Sequence, residues 1–284
     1  MMHKPLLVIF LLTLFSSVSA NAQKLTPHRG DVPGAYNFWL YTPDPSPENE
    51  EEPKPVVIFL HGASLCGNNL DRVRRYGTID AIEKGRELDA YVIAPQNPGG
   101  SWQPQKVMKI VDWVGDNHNI DYDRIYVMGM SLGGYGAIDM AATYPDQIAA
   151  AMALCGGGTV KDVSGLNDVP LWIVHGTADR AVSVGQSDKV VNSVKKTGDA
   201  SRLVYDRVPG MNHSQPARFF YLKDTYDWLM SHSLKDENRP VNGTFDVSGI
   251  NGAYKGLKYS GKKRVSKSAK SRSKSKSKTG KKRR

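Results

Sequence analysis

The chain has 284 residues, 40% of them hydrophobic and 23% charged, enough apolar surface to bury a core, which excludes a wholly disordered or collagen-like protein. The formal charge of +10 points to a polyanion partner only until it is divided along the chain. Residues 251–284 hold 15 Lys and Arg and no acid, and with Lys4 set apart, 23–250 carries 22 basic against 28 acidic residues, a net of −6.

In chain order, a charged start (His3, Lys4), an apolar run from Leu6 to Phe15 and small residues ending in Ala20-Asn21-Ala22 read as a secretory signal peptide over 1–22. The apolar run is about half of the roughly 20 residues a membrane span needs. Cleavage after Ala20 or Ala22 fits equally, and no cysteine follows either to carry a lipid. Export makes a Cys66–Cys155 disulfide permissible, and the sequence leaves the pairing open.

From 23 to 250, apolar runs alternate with stretches of helical spacing, which predicts an α/β domain with a mostly parallel sheet. Strands are expected at Tyr36–Tyr41, Val56–Leu60, Tyr91–Ala94, Ile125–Met128, Ala150–Leu154, Leu171–Val174 and Arg202–Val208. Pro43–Pro55 is acidic and proline-rich, hence a loop. Helices are expected at Gln105–Asn117, Leu132–Tyr144 (stopped by Pro145), Ser183–Lys196 and Ala217–His232. From 251 the chain is rich in Lys, Ser and Gly, without the apolar surface to fold.

Gly129-Met130-Ser131-Leu132-Gly133 follows a predicted strand and opens a predicted helix, the G-x-S-x-G elbow pattern that exposes a serine hydroxyl above a sheet. A serine hydroxyl attacks only when a base takes its proton and an acid orients that base. Asp179 and His213 each follow a predicted strand, in the order Ser, Asp, His. Asp206 and Asp188 stand as alternative acids. His61-Gly62-Ala63 closes the strand Val56–Leu60, and its turn offers a backbone N–H to an oxyanion, Ala63 first and Ser64 next, beside the N–H of Leu132. His61 and His175, each before a glycine at a strand end, are read as structural or pocket-lining. Trp102 and Ser64 are candidate substrate contacts. No His, Cys or carboxylate grouping has metal-ligand spacing, and Gly156-Gly157-Gly158 lacks the context of a phosphate loop, so neither metal nor cofactor is expected.

With L-H-G-A at 60–63, A-P-Q at 94–96 with Trp102, G-M-S-L-G-G at 129–134, H-G-T-A-D at 175–179 and His213, residues 35–232 resemble the secreted, lidless esterases of the α/β-hydrolase superfamily. Phospholipase-type carboxylesterases, dienelactone-hydrolase-like and feruloyl-esterase-like proteins and prolyl-oligopeptidase-like peptidases belong to that group. The resemblance implies Ser131 as nucleophile, His213 as general base and acid, Asp179 as its orienter, and Ala63 with Leu132 as the oxyanion hole. Only about 15 residues separate Leu154 from Pro170, where such hydrolases insert a cap, so an open site without a cap domain is expected. That suits short acyl groups, or acetyl and feruloyl esters on a polysaccharide. A peptidase with the same triad is the nearest rival, and a non-catalytic binding protein on this scaffold is the rival of another class. The basic tail reads either as a solvated segment with no specific partner or as an electrostatic tether to anionic envelope polymer, a lipid surface or a polyanionic substrate. Export and the presence of only two tyrosines for base stacking argue against nucleic acid.

Overall fold

The computed structural model describes residues 24–44 and 52–258, so the leader at 1–22, most of the 43–55 loop and the chain from 259 onward lie outside the described residues. Eight strands form one sheet: β1 (Lys24–His28), β2 (Phe38–Thr42), β3 (Lys54–Leu60), β4 (Tyr91–Pro95), β5 (Ile120–Met130), β6 (Ala150–Leu154), β7 (Leu171–Gly176) and β8 (Leu203–Val208). Their order is 1-2-4-3-5-6-7-8, and only β2 runs against the rest. Val56–Leu60, Ala150–Leu154 and Leu171–Val174 are fully buried because parallel strands are covered on both faces, which is why they read as unbroken apolar runs.

Among the described residues five helices cover the sheet: α1 (Thr78–Glu83), α2 (Pro104–Asn117), α3 (Leu132–Thr143), α4 (Gly185–Thr197) and α5 (Lys223–Met230). Successive strand side chains point to opposite faces, so β3 serves two cores. Val57 and Phe59 pack with Ile79 of α1 and Trp228 of α5. Val56, Ile58 and Leu60 pack with Val107 and Val111 of α2, Ile138 of α3 and Val190 of α4. Pro104 begins α2, where its missing N–H has no intrahelical partner to lose. The α/β architecture is therefore as expected, and 155–170 carries a 3-10 turn at Ser164–Asn167 in place of a cap.

The differences have identifiable physical causes. β1 contains Pro27 and was not expected as a strand; it pairs only with β2, and an edge tolerates proline. The expected helix Ala217–His232 divides into a 3-10 turn (Gln215–Tyr221) and α5, with Leu222 extended between them. There, side chains replace helical donors: Tyr226 Oη donates to the Phe220 carbonyl (2.6 Å) and Arg86 to the Tyr221 carbonyl (2.6 Å). The tail boundary at 250 falls too early. Ala253 is buried, Tyr254 lies against Tyr221 with ring centroids 4.7 Å apart, and the Lys258 N–H donates to the Lys84 carbonyl at 2.7 Å, so 251–258 pack on the domain. Cys66 and Cys155 are free thiols. Among the described residues no helix is long and apolar enough to cross a membrane.

Candidate active site

The turn between β5 and α3 is built around crowding. Ser131 sits at φ 58°, a left-handed conformation that costs a non-glycine residue free energy, and its N–H donates to the Leu154 carbonyl at 2.8 Å. A Cβ on Gly129 would lie 2.1 Å from the Gly133 carbonyl oxygen, and one on Gly133 only 1.8 Å from that of Leu60. Those contacts, with backbone on every side, leave room for hydrogen alone and present the Ser131 hydroxyl at the carboxyl end of the sheet.

Strands β7 and β8 deliver the partners. His213 Nε2 is 3.1 Å from Ser131 Oγ, and His213 Nδ1 is 2.7 Å from Asp179 Oδ2. The other Asp179 oxygen accepts the N–H groups of Ala181 (2.8 Å) and Val182 (2.9 Å). Burial by itself would raise the Asp179 pKa, but the Val182 N–H, His213 and the Ala181 N–H outweigh it and hold the carboxyl below its ordinary value of 3.8. The alternative acids are engaged elsewhere: Asp206 accepts from Trp172 Nε1 (2.6 Å) and Asp188 from the Tyr205 hydroxyl (2.7 Å).

A depressed carboxyl pKa stabilises the fold above the unfolded value, and that contribution disappears as pH falls through the folded value. Asp179→Asn is therefore expected to flatten the acid side of the stability profile below the ordinary carboxylate range, as read from urea midpoints at stepped pH. Equal acid sensitivity of the two proteins would contradict the carboxylate's place in this network.

Ala63 opens a 3-10 turn (Ala63–Leu65) after β3, and Leu132 is the first residue of α3. Neither backbone N–H meets an acceptor in the hydrogen bonds of the described residues. Ser131 thus stands at the amino end of α3, where the helix dipole favours developing negative charge. A cleft of about 680 Å³ opens over the serine, lined by Gly62, Ala63, Ser64, Tyr76, Met130 and Val182 among others. Past His213 it meets a shallower hollow floored by Ala178, Gly210 and Asn212.

Ser64 lines the cleft as expected, but Trp102 does not. Its ring is buried, Nε1 donates to the His61 carbonyl at 3.2 Å, and it packs edge-on against His61 and Tyr36, so it supports the site from beneath. His61 is structural. Nδ1 donates to the Gly62 carbonyl (2.8 Å), Nε2 accepts from the Asn97 N–H (3.0 Å), and burial pushes its pKa down to about 4. His175, fully buried, lies between the Ser187 hydroxyl (2.7 Å) and the Val182 carbonyl (3.0 Å), and burial lowers its pKa too. Cys155, Asp179 and His213 come within 4.8 Å of one another. Burial pushes the Cys155 thiol up to about 12, and His213 and Asp179 spend their facing atoms on each other, an arrangement made for proton transfer. Sequence reasoning missed Tyr76, whose hydroxyl accepts the Gly62 N–H at 2.8 Å. Its one sequence signal was the following Gly77, which holds φ 96° with a Cβ position only 2.0 Å from Phe59.

The chain is similar to known proteins in sequence and in fold. The family model described as Phospholipase/Carboxylesterase matches residues 102–232. A poly(3-hydroxyalkanoate) depolymerase C of Paucimonas lemoignei is 29% identical over 160 residues, covering 50% of this chain and 36% of that protein. Acetylxylan esterase A of Emericella nidulans is 26% identical over 150 residues, covering 45% of this chain and 44% of the relative. The chain thus spans less than half the length of these curated relatives. A solved thermostable esterase superposes with a TM-score of 0.61 at 25% identity, covering 74% of this chain and 63% of that one. The strand order 1-2-4-3-5-6-7-8, the strained serine turn after β5 and these similarities show that the chain has the α/β-hydrolase fold.

Proposed function

We propose that the protein is an exported serine hydrolase of carboxylic esters. The observation that carries this reading is the continuous line from Ser131 Oγ through the His213 ring to Asp179, at 3.1 and 2.7 Å, beneath the free N–H groups of Ala63 and Leu132. His213 Nε2 takes the Oγ proton as Oγ bonds to the ester carbonyl carbon, while Asp179 holds the imidazole and balances its charge. The two N–H groups receive the oxyanion. The ester C–O bond then breaks, the leaving alkoxide takes the proton from Nε2, and water repeats the sequence on the acyl-enzyme to free the acid and Ser131.

The leaving oxygen must lie within reach of Nε2, so the alcohol moiety emerges over the hollow beside Asn212 and Gly210. Among the described residues no cap lies over the cleft and a bulky alcohol meets no wall there, which supports short acyl groups on small alcohols or on a polymer. The names of two relatives, a polyester depolymerase and an acetylxylan esterase, point the same way. The basic run beyond 258 is proposed to hold the enzyme near anionic polymer or lipid surface, an attraction that salt screens.

The test is hydrolysis of 4-nitrophenyl acetate, butyrate and octanoate beside an aminoacyl 4-nitroanilide. Acetate and butyrate are expected to turn over faster than octanoate, and the anilide far more slowly than any ester. Preferential anilide cleavage would replace this reading with a peptidase, and no turnover of either class would leave a binding protein.

A further inference from the structure

We propose that Tyr76 is a positioning residue for the oxyanion hole: its hydroxyl, by accepting the Gly62 N–H, fixes the turn that aims the Ala63 N–H at the reacting carbonyl. The proposal rests on the ester-hydrolase reading of the same site.

Gly62 is hemmed in on three sides. A Cβ on Gly62 would lie 2.9 Å from the Tyr76 hydroxyl, 3.2 Å from the Met130 carbonyl oxygen and 3.4 Å from Ser131 Cβ. The backbone passes so close to the nucleophile that a side chain must crowd it. Glycine solves the crowding but brings the loosest backbone of any residue, at the point where the donor next to it must be held to a fraction of an ångström to act on an oxyanion. Stiffness therefore has to come from outside Gly62.

Both peptide groups flanking Gly62 are tied. The one before it is held through its N–H, which donates to Tyr76 Oη at 2.8 Å, and through the His61 carbonyl, which accepts from Trp102 Nε1 at 3.2 Å. The one after it is held through the Gly62 carbonyl, which accepts from His61 Nδ1 (2.8 Å) and from the Leu65 N–H (3.1 Å). That second group is planar and trans, so fixing the Gly62 carbonyl points the Ala63 N–H the opposite way, out of the turn. Rotation about the Gly62 dihedrals is resisted by these ties together, and among them the Tyr76 hydroxyl alone holds the Gly62 N–H. The His61 tie is local to the turn. The Tyr76 tie reaches in from another segment, the residue following the 3-10 turn Leu70–Arg75, and its ring is seated edge-on against Phe59 (6.3 Å) and tilted against Phe220 (6.4 Å). Tyr76 lines the cleft with Gly62, Ala63 and Ser131, so its hydroxyl joins the oxyanion turn to the core. Burial raises the phenol pKa, which keeps Tyr76 neutral at working pH.

Tyr76→Phe keeps the ring and removes only the hydroxyl, and with it the acceptor for the Gly62 N–H. The expected result on 4-nitrophenyl acetate is a kcat lower by about 10- to 100-fold, below the loss of a whole oxyanion donor, with KM within about threefold. The affinity of an alkyl boronic acid, whose tetrahedral adduct on Ser131 puts an oxygen in the hole, should fall in parallel with kcat. A packing role would lower the melting temperature without this split between kcat and KM and without selective loss of the boronate. Gly62→Ala attacks the same tie from the other side, by driving a methyl group at the hydroxyl, and is expected to show the same signature; it decides the matter if Tyr76→Phe does not fold. Turnover that depends on Ser131 while kcat and boronate affinity of both variants stay within twofold of the parent overturns the role of Tyr76 alone. Absence of ester turnover, or turnover that survives Ser131→Ala, overturns the hydrolase reading and this inference with it.

Discussion

Ser131→Ala is expected to lower kcat for 4-nitrophenyl butyrate by on the order of 10⁴- to 10⁶-fold, the scale seen when a hydrolase loses its nucleophile. The fold should survive. Alanine is a side chain one oxygen smaller, and the φ of 58° at this position strains serine and alanine alike. Removing Oγ ends the contact with His213 Nε2 but leaves His213 held by Asp179 and leaves the N–H groups of Ala63 and Leu132 in place. A small residual rate from those groups is therefore expected, together with an unchanged melting temperature. Steady-state kinetics on protein checked by circular dichroism reads both. A variant retaining more than about a hundredth of the parent rate would place the nucleophile elsewhere.

The second large effect is on stability. Gly133→Ala should destabilise the domain by about 3 kcal/mol or more, because the added methyl meets the Leu60 carbonyl oxygen at 1.8 Å and that of His61 at 2.9 Å. These are backbone atoms at the end of a central strand and cannot swing aside as a side chain would. In a domain of this size such a loss lowers the melting temperature by about 10 °C. Alanine's better helix propensity offsets only about 1 kcal/mol. Gly249→Ala is the control: its Cβ meets nothing within 4 Å, and its effect should stay within about 0.5 kcal/mol. Calorimetry or thermal circular dichroism on the pair separates steric crowding at the serine turn from a general intolerance of glycine replacement. Equal melting temperatures for the two variants would show that α3 can shift off β3, against the packing described.

The glycines on either side of Ser131 explain why the serine turn was legible in the chain. Gly129 and Gly133 are demanded by backbone contacts that any G-x-S-x-G turn makes between a strand and a helix, so the motif carries its geometry with it. The parallel strands were equally legible, because burial on both faces leaves unbroken runs such as Val56–Leu60. Asp179 and His213 were found because each follows its own strand at the carboxyl edge of the sheet.

What escaped depends on contacts that no local pattern encodes. Tyr76 reaches the site through the tertiary packing of Phe59 and Phe220, and nothing in Arg74-Arg75-Tyr76 announces it. Trp102 was a candidate substrate contact, and nothing in the sequence near it shows that its hydrogen bond to the His61 carbonyl turns it underneath. The break at Leu222 follows from Arg86 capping a carbonyl 135 positions away in sequence. The tail boundary slipped because lysine and glycine dominate after 250, masking the single buried methyl of Ala253.

Covalent labelling tests the central claim most directly. The full-length protein treated with diisopropyl fluorophosphate is expected to gain one diisopropylphosphoryl group by intact mass. Fragmentation should locate it on Ser131, labelling should be abolished in Ser131→Ala, and it should be slowed about 100-fold or more in His213→Ala, where the general base is gone. Protein that stays unmodified under conditions that fully label a control serine esterase, or a label carried by another residue of the cleft such as Ser64, would contradict the account.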